Sequence, residues 1–118
     1  MIKRIISWNN QRYPQVYCHN LQAALLEEEV REFEEAVLSS DRLDALADIV
    51  YVAIGAMWKL GLDHDGILRA MHIVCDSNDS KSATRTAPNV KANKDKGSEF
   101  IPPEPALRAL LKEYFIDE

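Results

Sequence analysis

The pattern of apolar and polar residues predicts two helices that follow one another in the first half of the chain. Their segments read LQAALLEEEVREFEEAV and RLDALADIVYVAIGAMWKL. Successive residues advance by about 100° around a helix, so Leu25, Glu29 and Phe33 share the apolar face of the first helix. Glu29 therefore lies on the face of the helix where an ordinary amphipathic helix carries only apolar residues, and Glu28 and Glu32 lie at the edge of that face.

The second helix is apolar nearly all round, as expected of a helix surrounded by packing partners. Between Leu43 and Trp58 its only formally charged residues are Asp44 and Asp48. These two are four residues apart and project from one face. Carboxylates taken out of water are costly unless they are paired or hydrogen-bonded, and several together raise each other's pKa. A divalent cation would relieve this, and carboxylate oxygens suit magnesium or manganese.

The connection between the two helices is short, since residues 39–41 read Ser-Ser-Asp and offer helix caps. Asn20 is the expected N-cap of the first helix, and Gly61 the expected C-cap of the second. A short connection implies antiparallel neighbours. The acidic faces of the two helices would then meet across one groove. The competing interpretation is that these acids cap helices or form solvated ion pairs.

The rest of the chain completes an all-α prediction with one domain over residues 1–118. Helix-compatible spacing at residues 1–12 should end before Pro14, and a third helix is expected over 65–76. The helical part is expected over 1–77, a basic loop over 78–104 and a C-terminal helix over 105–116. That last helix would dock on the bundle through Leu107, Leu110, Leu111 and Phe115.

Composition and charge narrow the classes of partner. The chain is 47% apolar with a formal charge of −5, which disfavours a nucleic-acid polymer or an anionic membrane as the main partner. No stretch resembles a signal peptide or reaches transmembrane length, so cytoplasm is the expected location. Cys18 and Cys75 lack metal-site or redox spacing and are interpreted as free thiols packed as small hydrophobes.

The predicted loop concentrates positive charge in an otherwise acidic chain. Beside a carboxylate–metal site, such a cluster would suit phosphate oxygens. For a run of lysines alone, a solvated tail is the simpler interpretation. The basic residues concerned are Lys81, Arg85, Lys91, Lys94 and Lys96.

The N-terminal region is aromatic, with Trp8, Tyr13 and Tyr17 close together in sequence. These rings could stack on a nucleobase, with Trp8 the candidate named for that role. Aromatic residues near a terminus more often cover the core, and that interpretation is favoured here.

Four motifs in order resemble the MazG-like all-α nucleoside triphosphate pyrophosphohydrolases, a superfamily that includes dimeric dUTPases and phosphoribosyl-ATP pyrophosphohydrolases. LLEEEVREFEEAV resembles its Glu-Glu-x-x-Glu helix, and DALADIVYVAIGAMWKLG the helix that completes its metal site. DSNDSK and KDKGSEFIPPEP resemble stretches of a small phage- and integron-type branch. The resemblance implies a four-helix-bundle-like fold whose core is completed by a second chain, in a homodimer or homotetramer.

The resemblance assigns roles to individual residues. Glu28, Glu29, Glu32 and Asp48 match magnesium-binding carboxylates, while Ala45 replaces a usual glutamate and Asp44 is a candidate substitute. Glu28 or Glu29 would act as general base. Asn78 and Lys81 match positions that, in the family, lie at the nucleotide and its phosphates. Lys94 and Lys96 match such positions less closely.

The implied reaction is magnesium-dependent hydrolysis of an NTP or dNTP between the α and β phosphates, with manganese as an alternative ion. The ion would polarise phosphate oxygens and lower the pKa of water, and lysines would hold the leaving pyrophosphate. Two alternatives remain. One is a pyrophosphohydrolase of another nucleotide, such as phosphoribosyl-ATP. The other is a helical interaction module that has lost catalysis, an interpretation that Ala45 favours.

Overall fold

The computed structural model describes residues 1–81, 85–91, 97 and 99–118. Over these residues the regular secondary structure consists of five α-helices and contains no strand, so the all-α prediction is confirmed. No single described helix is long and apolar enough to cross a membrane, and the helices Ser39–Leu60 and His64–Asp79 reach that length and hydropathy only when taken together. The helices are α1 Ile2–Asn10, α2 His19–Glu35, α3 Ser39–Leu60, α4 His64–Asp79 and α5 Glu104–Glu113.

The chain divides into two compact units, Met1–Ile67 and Leu68–Glu118. In the first unit, α3 packs against both α1 and α2. Its buried residues include Ile5 of α1 together with Ala45 and Ile54 of α3. The central position of α3 agrees with its nearly continuous apolar sequence, because two different faces of this helix meet neighbours.

The bounds of α1 follow from its sequence. Ile2, Ile5 and Asn9 are buried on one face at helical spacing. A proline ring clashes with the carbonyl four residues earlier, which here belongs to Asn10, so Pro14 limits the helix to that residue. The segment after α1 is then tied to α3, since Gln15 Nε2 donates to the Trp58 carbonyl at 2.8 Å.

Three predicted helix ends can be compared with the structure. Gly61 ends α3 at φ 122°, a conformation that favours glycine, and its N–H donates to the Trp58 carbonyl at 2.9 Å. The cap prediction for α2 was wrong, because the helix starts at His19 and Asn20 lies within its first turn. Ser39 likewise opens α3 rather than capping it, and Leu38 is the N-cap without a side-chain hydrogen bond.

Helix α4 begins and ends outside its predicted bounds of 65–76. It starts at His64 because Asp63 caps it, with Asp63 Oδ1 accepting the backbone N–H of Gly66 at 2.8 Å. It continues to Asp79. The predicted loop over 78–104 therefore begins too early, and Asn78 lies on the last turn of a helix.

The second unit holds its C-terminal helix by packing and polar contacts. Leu110 of α5 is almost fully buried, and an ion pair joins Arg69 to Glu113. The Ser80 hydroxyl, just beyond α4, accepts the N–H of Ile101 at 2.9 Å. The predicted docking of Phe115 was wrong, since α5 ends at Glu113 and Phe115 follows it 96% exposed with φ 57°.

The two cysteines are free, as expected, but the packing prediction for them was wrong. Cys18 and Cys75 are both exposed. Cys18 occupies the N-cap of α2, a position outside the buried face of that helix.

Candidate active site

Helices α2 and α3 bring three of the predicted acidic side chains together. Glu29, Glu32 and Asp48 each offer one carboxylate oxygen, and these oxygens lie within 4.8 Å of one another. Glu29 and Asp48 are half-buried and Glu32 is exposed. The prediction that the acidic faces of the two helices meet is confirmed for these three residues.

The direction of the two helices follows from which residues meet. Glu29 of α2 lies near Asp48 of α3, and Gln22, two turns earlier on α2, lines the same cavity as Gly55, two turns later on α3. Helices α2 and α3 therefore run in opposite directions. The pair is antiparallel, as its short connection predicted.

Glu29 is the electrostatic centre of the cluster. Burial raises the pKa of its carboxyl, and the negative charges of Glu32 and Asp48, a hydrogen bond with Glu32 and the charge of Glu28 raise it further. Its Oε2 is buried and has no hydrogen-bond partner among the described residues. A buried carboxylate oxygen without a donor is unfavourable, because it has lost water without gaining a replacement.

The cluster fits a hard divalent cation. Three neighbouring carboxylates, one of which has a buried oxygen without a hydrogen-bond partner among the described residues, match the all-oxygen ligands that magnesium takes from proteins. A cation would satisfy Glu29 Oε2 and offset the repulsion within the group. The residues that would hold it are Glu29, Glu32 and Asp48.

The other predicted metal ligands lie outside this group. Glu28 is exposed on α2 and contributes only its charge to the Glu29 environment. Asp44 is exposed on α3 and is absent from the three-carboxylate group. Ala45, at the position of the usual family glutamate, is buried. A metal role for Glu28 or Asp44 stays a prediction.

The predicted phosphate-binding residues fall in the second unit. Lys81 Nζ donates to Asn78 Oδ1 at 3.0 Å, while Asn78 Nδ2 donates to the Val74 carbonyl at 3.0 Å. The asparagine thus holds the ammonium group at the end of α4. Lys94 and Lys96 lie outside the described residues.

Trp8, the residue predicted to stack on a base, stands on α1 among other rings. Its ring meets Tyr51 edge-on at 5.6 Å between centroids and Tyr13 at 6.2 Å. The Arg12 guanidinium lies 4.3 Å from the centre of the Trp8 ring. Trp8 is 39% exposed, so part of its surface can be reached from solvent.

Sequence reasoning missed two polar residues near these rings. Gln22 of α2 is 3% exposed and Lys59 of α3 is 6% exposed. Burial lowers the pKa of Lys59, whose Nζ lies 4.1 Å from the centre of the Tyr13 ring. Helical spacing could have found both, because Gln22 is seven residues before Glu29 and Lys59 eleven after Asp48.

A comparison with known protein families found one match. The sequence model of the PRA-PH family, described as phosphoribosyl-ATP pyrophosphohydrolase, matches residues 2–73 of the 118-residue chain. The matched region contains all three clustered carboxylates and ends before Asn78. No curated protein matches the chain, and no solved structure matches it.

The fold and the family match place the protein among the all-α nucleotide pyrophosphohydrolases. The chain belongs to the phosphoribosyl-ATP pyrophosphohydrolase family, within the MazG-like superfamily that its motifs resemble. It is thus a hydrolase of the pyrophosphohydrolase class. This confirms the family and enzyme class predicted from the sequence.

Proposed function

We propose that the protein hydrolyses a nucleoside triphosphate, an NTP or dNTP, to the monophosphate and pyrophosphate with the help of magnesium. The observation that carries this proposal is the close approach of the Glu29, Glu32 and Asp48 carboxylates, together with a buried Oε2 of Glu29 that has no hydrogen-bond partner among the described residues. A cation bound by Glu29, Glu32 and Asp48 would polarise phosphate oxygens and make water easier to deprotonate. The family match supports the class of bond that is broken.

The chain's own acids would handle the proton of the attacking water. Glu28 suits the role of general base, because it adjoins Glu29 in sequence, lies outside the three-carboxylate group and is exposed. Glu29 is the second candidate for that role. The water would attack the α-phosphorus while the general base takes its proton. The bond between the α-phosphorus and the bridging oxygen would break, and pyrophosphate would leave.

Basic and polar residues of the second unit would bind the phosphates. Lys81 uses one ammonium proton on Asn78 Oδ1, which leaves others to donate to phosphate oxygens. Lys94 and Lys96 are proposed for the same task. Neutralising charge on the leaving pyrophosphate would favour its departure, and Trp8 is proposed to stack on the base.

A specific observation favours phosphoribosyl-ATP as a second candidate substrate. The matching family is the one named for that activity. Hydrolysis of the same α–β anhydride in phosphoribosyl-ATP would need the same carboxylates. Substrate profiling separates the two candidates without any change in the proposed chemistry.

The test is pyrophosphate release from a panel of NTPs, dNTPs and phosphoribosyl-ATP with magnesium, using Glu32→Gln as the blank. We expect turnover of one or a few triphosphates and none by the variant. Glu35→Gln, on the last turn of the same helix and outside the cluster, is the matched control and should stay active. Turnover of phosphoribosyl-ATP alone would favour the second candidate, and full activity of Glu32→Gln would refute the metal site.

We also propose that the protein works as a homodimer, with a homotetramer as the larger alternative. Along α3, Leu43 is 69% exposed and Val50 50% exposed on one helical face, with Leu46 beside them. A groove of about 670 Å³ continues this apolar surface to Met1 and to Trp8 of α1. A contiguous apolar surface of this kind marks a protein interface.

Light scattering after gel filtration tests the dimer. Val50→Glu, placed in the centre of the apolar face, should shift the mass toward one chain, because a charge would be buried without a partner. Arg31→Glu, a charge change on the exposed side of α2, should leave the mass unchanged. A wild-type mass of 13.4 kDa would refute the proposal.

A further inference from the structure

A small cavity in the first unit lies between α1, α2 and α3. Its volume is about 130 Å³, and its lining includes the rings of Trp8, Tyr13 and Tyr51 and the polar residues Asn9, Gln22 and Lys59. Pockets for whole drug-sized ligands measure about 300–1,000 Å³. This cavity therefore has room for one heterocycle rather than for a complete nucleotide.

Each polar residue of the lining is buried and retains hydrogen-bonding capacity. Gln22 Nε2 is buried and has no partner in the described part of the chain. Asn9 donates its Nδ2 to the Ile5 carbonyl of its own helix at 2.9 Å, so its Oδ1 remains as an acceptor. Lys59 Nζ faces the Tyr13 ring and has no carboxylate within ion-pair distance among the described residues.

The buried amide nitrogen of Gln22 is unfavourable in an empty cavity. A buried amide N–H without an acceptor has lost its water, and only a partner in the cavity restores the lost hydrogen bond. Burial lowers the pKa of Lys59, which reflects the same loss of water around its charge. The lining thus presents two donors and one acceptor that a polar ring could satisfy.

The cavity lies along the same groove as the carboxylates. Gln22 and Glu29 are two turns apart on one face of α2, and Gly55 and Asp48 are seven residues apart on α3. Two helical turns span about 10 Å. An extended nucleoside triphosphate covers a distance of this order between its base and its phosphates, so one molecule could reach both places.

We propose that this cavity holds the base of the substrate and selects an oxo base over an amino base. Gln22 and Lys59 would donate to a ring carbonyl, and Asn9 Oδ1 would accept the neighbouring ring N–H. Uracil, thymine, guanine and hypoxanthine present that pair of groups, whereas cytosine and adenine present an amino group beside an unprotonated ring nitrogen. This inference rests on the proposed function in that the substrate is a nucleotide.

Two substrate pairs test the selection, because each differs by an oxo group in place of an amino group. We expect kcat/KM for dUTP to exceed that for dCTP, and that for ITP to exceed that for ATP, by about tenfold or more, as one mispaired buried hydrogen-bonding group implies. Equal values within both pairs, or a preference for the amino member, would overturn the proposal.

Matched variants then assign the selection to the lining. Gln22→Leu keeps a similar volume without the amide, and Lys59→Met keeps the stem without the charge. Both should lower the dUTP/dCTP ratio toward one by raising KM for dUTP. The melting temperature of Gln22→Leu should hold or rise, because an unsatisfied buried amide is removed. Gln11→Leu, an exposed glutamine of the segment after α1, should leave the ratio unchanged. An unchanged ratio in both lining variants would overturn the assignment.

Nucleoside binding separates this inference from the proposed function. Uridine and cytidine carry no phosphates, so calorimetric titration of either needs no metal and no turnover. We expect the wild type to bind uridine more tightly than cytidine. Gln22→Leu should bind both nucleosides weakly and with equal affinity. This result without turnover of any triphosphate would reject the proposed function and keep the base site. Equal binding of the two nucleosides by the wild type would reject the base site even in an active enzyme.

Discussion

Gln22 and Glu29 lie seven residues apart on one face of α2, and each has a buried polar atom without a hydrogen-bond partner among the described residues. The Gln22 atom is an amide nitrogen, which donates, and the Glu29 atom is a carboxylate oxygen, which accepts. The groove between α2 and α3 therefore needs an acceptor at one end and a cation or donor at the other. A nucleotide bound with a metal ion would supply both.

Glu29→Gln should stabilise the metal-free protein and abolish its response to magnesium. The pKa of Glu29 is raised by burial first and then by neighbouring acids. Above that raised pKa the ionised carboxylate destabilises the fold. As the pH falls through the raised pKa of Glu29, the native state binds a proton that the unfolded chain does not yet bind. The free energy of unfolding therefore increases as the pH falls.

Thermal unfolding in EDTA from about pH 8 to about pH 5 measures this effect. Glu29→Gln should melt above the wild type at the alkaline end, and the difference should shrink as the pH falls. Magnesium should raise the melting temperature of the wild type but not that of Glu29→Gln. Glu27→Gln, an exposed neighbour, serves as the control. A variant that melts below the wild type at every pH would contradict the repulsion argument.

Asp48→Asn and Asp44→Asn should separate the two aspartates of α3. Asp48 belongs to the three-carboxylate group, so its amide variant should lose turnover by about a hundredfold or more. Asp44 is exposed and outside that group, and its variant should stay within about tenfold of the wild type. Initial rates at several magnesium concentrations check both. An equal loss in both variants would mean that Asp44 replaces the glutamate missing at Ala45.

Lys81→Ala should raise KM for the nucleotide and leave the fold intact. Its ammonium is held by Asn78 at an exposed position, so removing it takes away charge without opening a core. The rise in KM should be about five- to tenfold, in line with one charge-assisted contact. Lys112→Ala on α5 removes an exposed lysine elsewhere and is the control. Identical KM values for Lys81→Ala and the wild type would exclude Lys81 from the site.

Gly55→Ala should destabilise the first unit. A Cβ on Gly55 would lie 3.0 Å from Asn9 Oδ1 and 3.1 Å from its Nδ2. Asn9 is buried and hydrogen-bonded to Ile5, so it has little freedom to move away. Overpacking of this kind costs about 1–3 kcal/mol of unfolding free energy.

Urea unfolding measures that cost, and Gly97→Ala provides the matched control. A Cβ on Gly97 would meet nothing within 4 Å, so this variant should stay within about 0.5 kcal/mol of the wild type. A Gly55→Ala protein as stable as the wild type would show that α1 and α3 are packed less closely than the structure has them.

The sequence alone determined the helices and the carboxylate cluster. Apolar spacing fixes which face of α2 is buried, and that spacing already placed Glu29 in the wrong environment for a solvated acid. The short connection between α2 and α3 then predicted that the face with Glu28, Glu29 and Glu32 meets the face with Asp44 and Asp48. Of these acids, the structure groups Glu29, Glu32 and Asp48. These are local and nearest-neighbour relations, and the period of a helix carries them.

Tertiary structure alone decided how the remaining groups are used. Gln22 and Lys59 have ordinary polar side chains, and only tertiary packing makes both of them buried and leaves the Gln22 amide nitrogen without a partner among the described residues. The sequence pattern also did not predict the N-terminal ends of α2 and α3, because Cys18 and Leu38 occupy the N-cap positions without a side-chain hydrogen bond. Phe115 is apolar yet exposed, since α5 ends before it could turn toward the core. Burial depends on which elements meet in space, and periodicity along one helix contains no information about the neighbour that covers it.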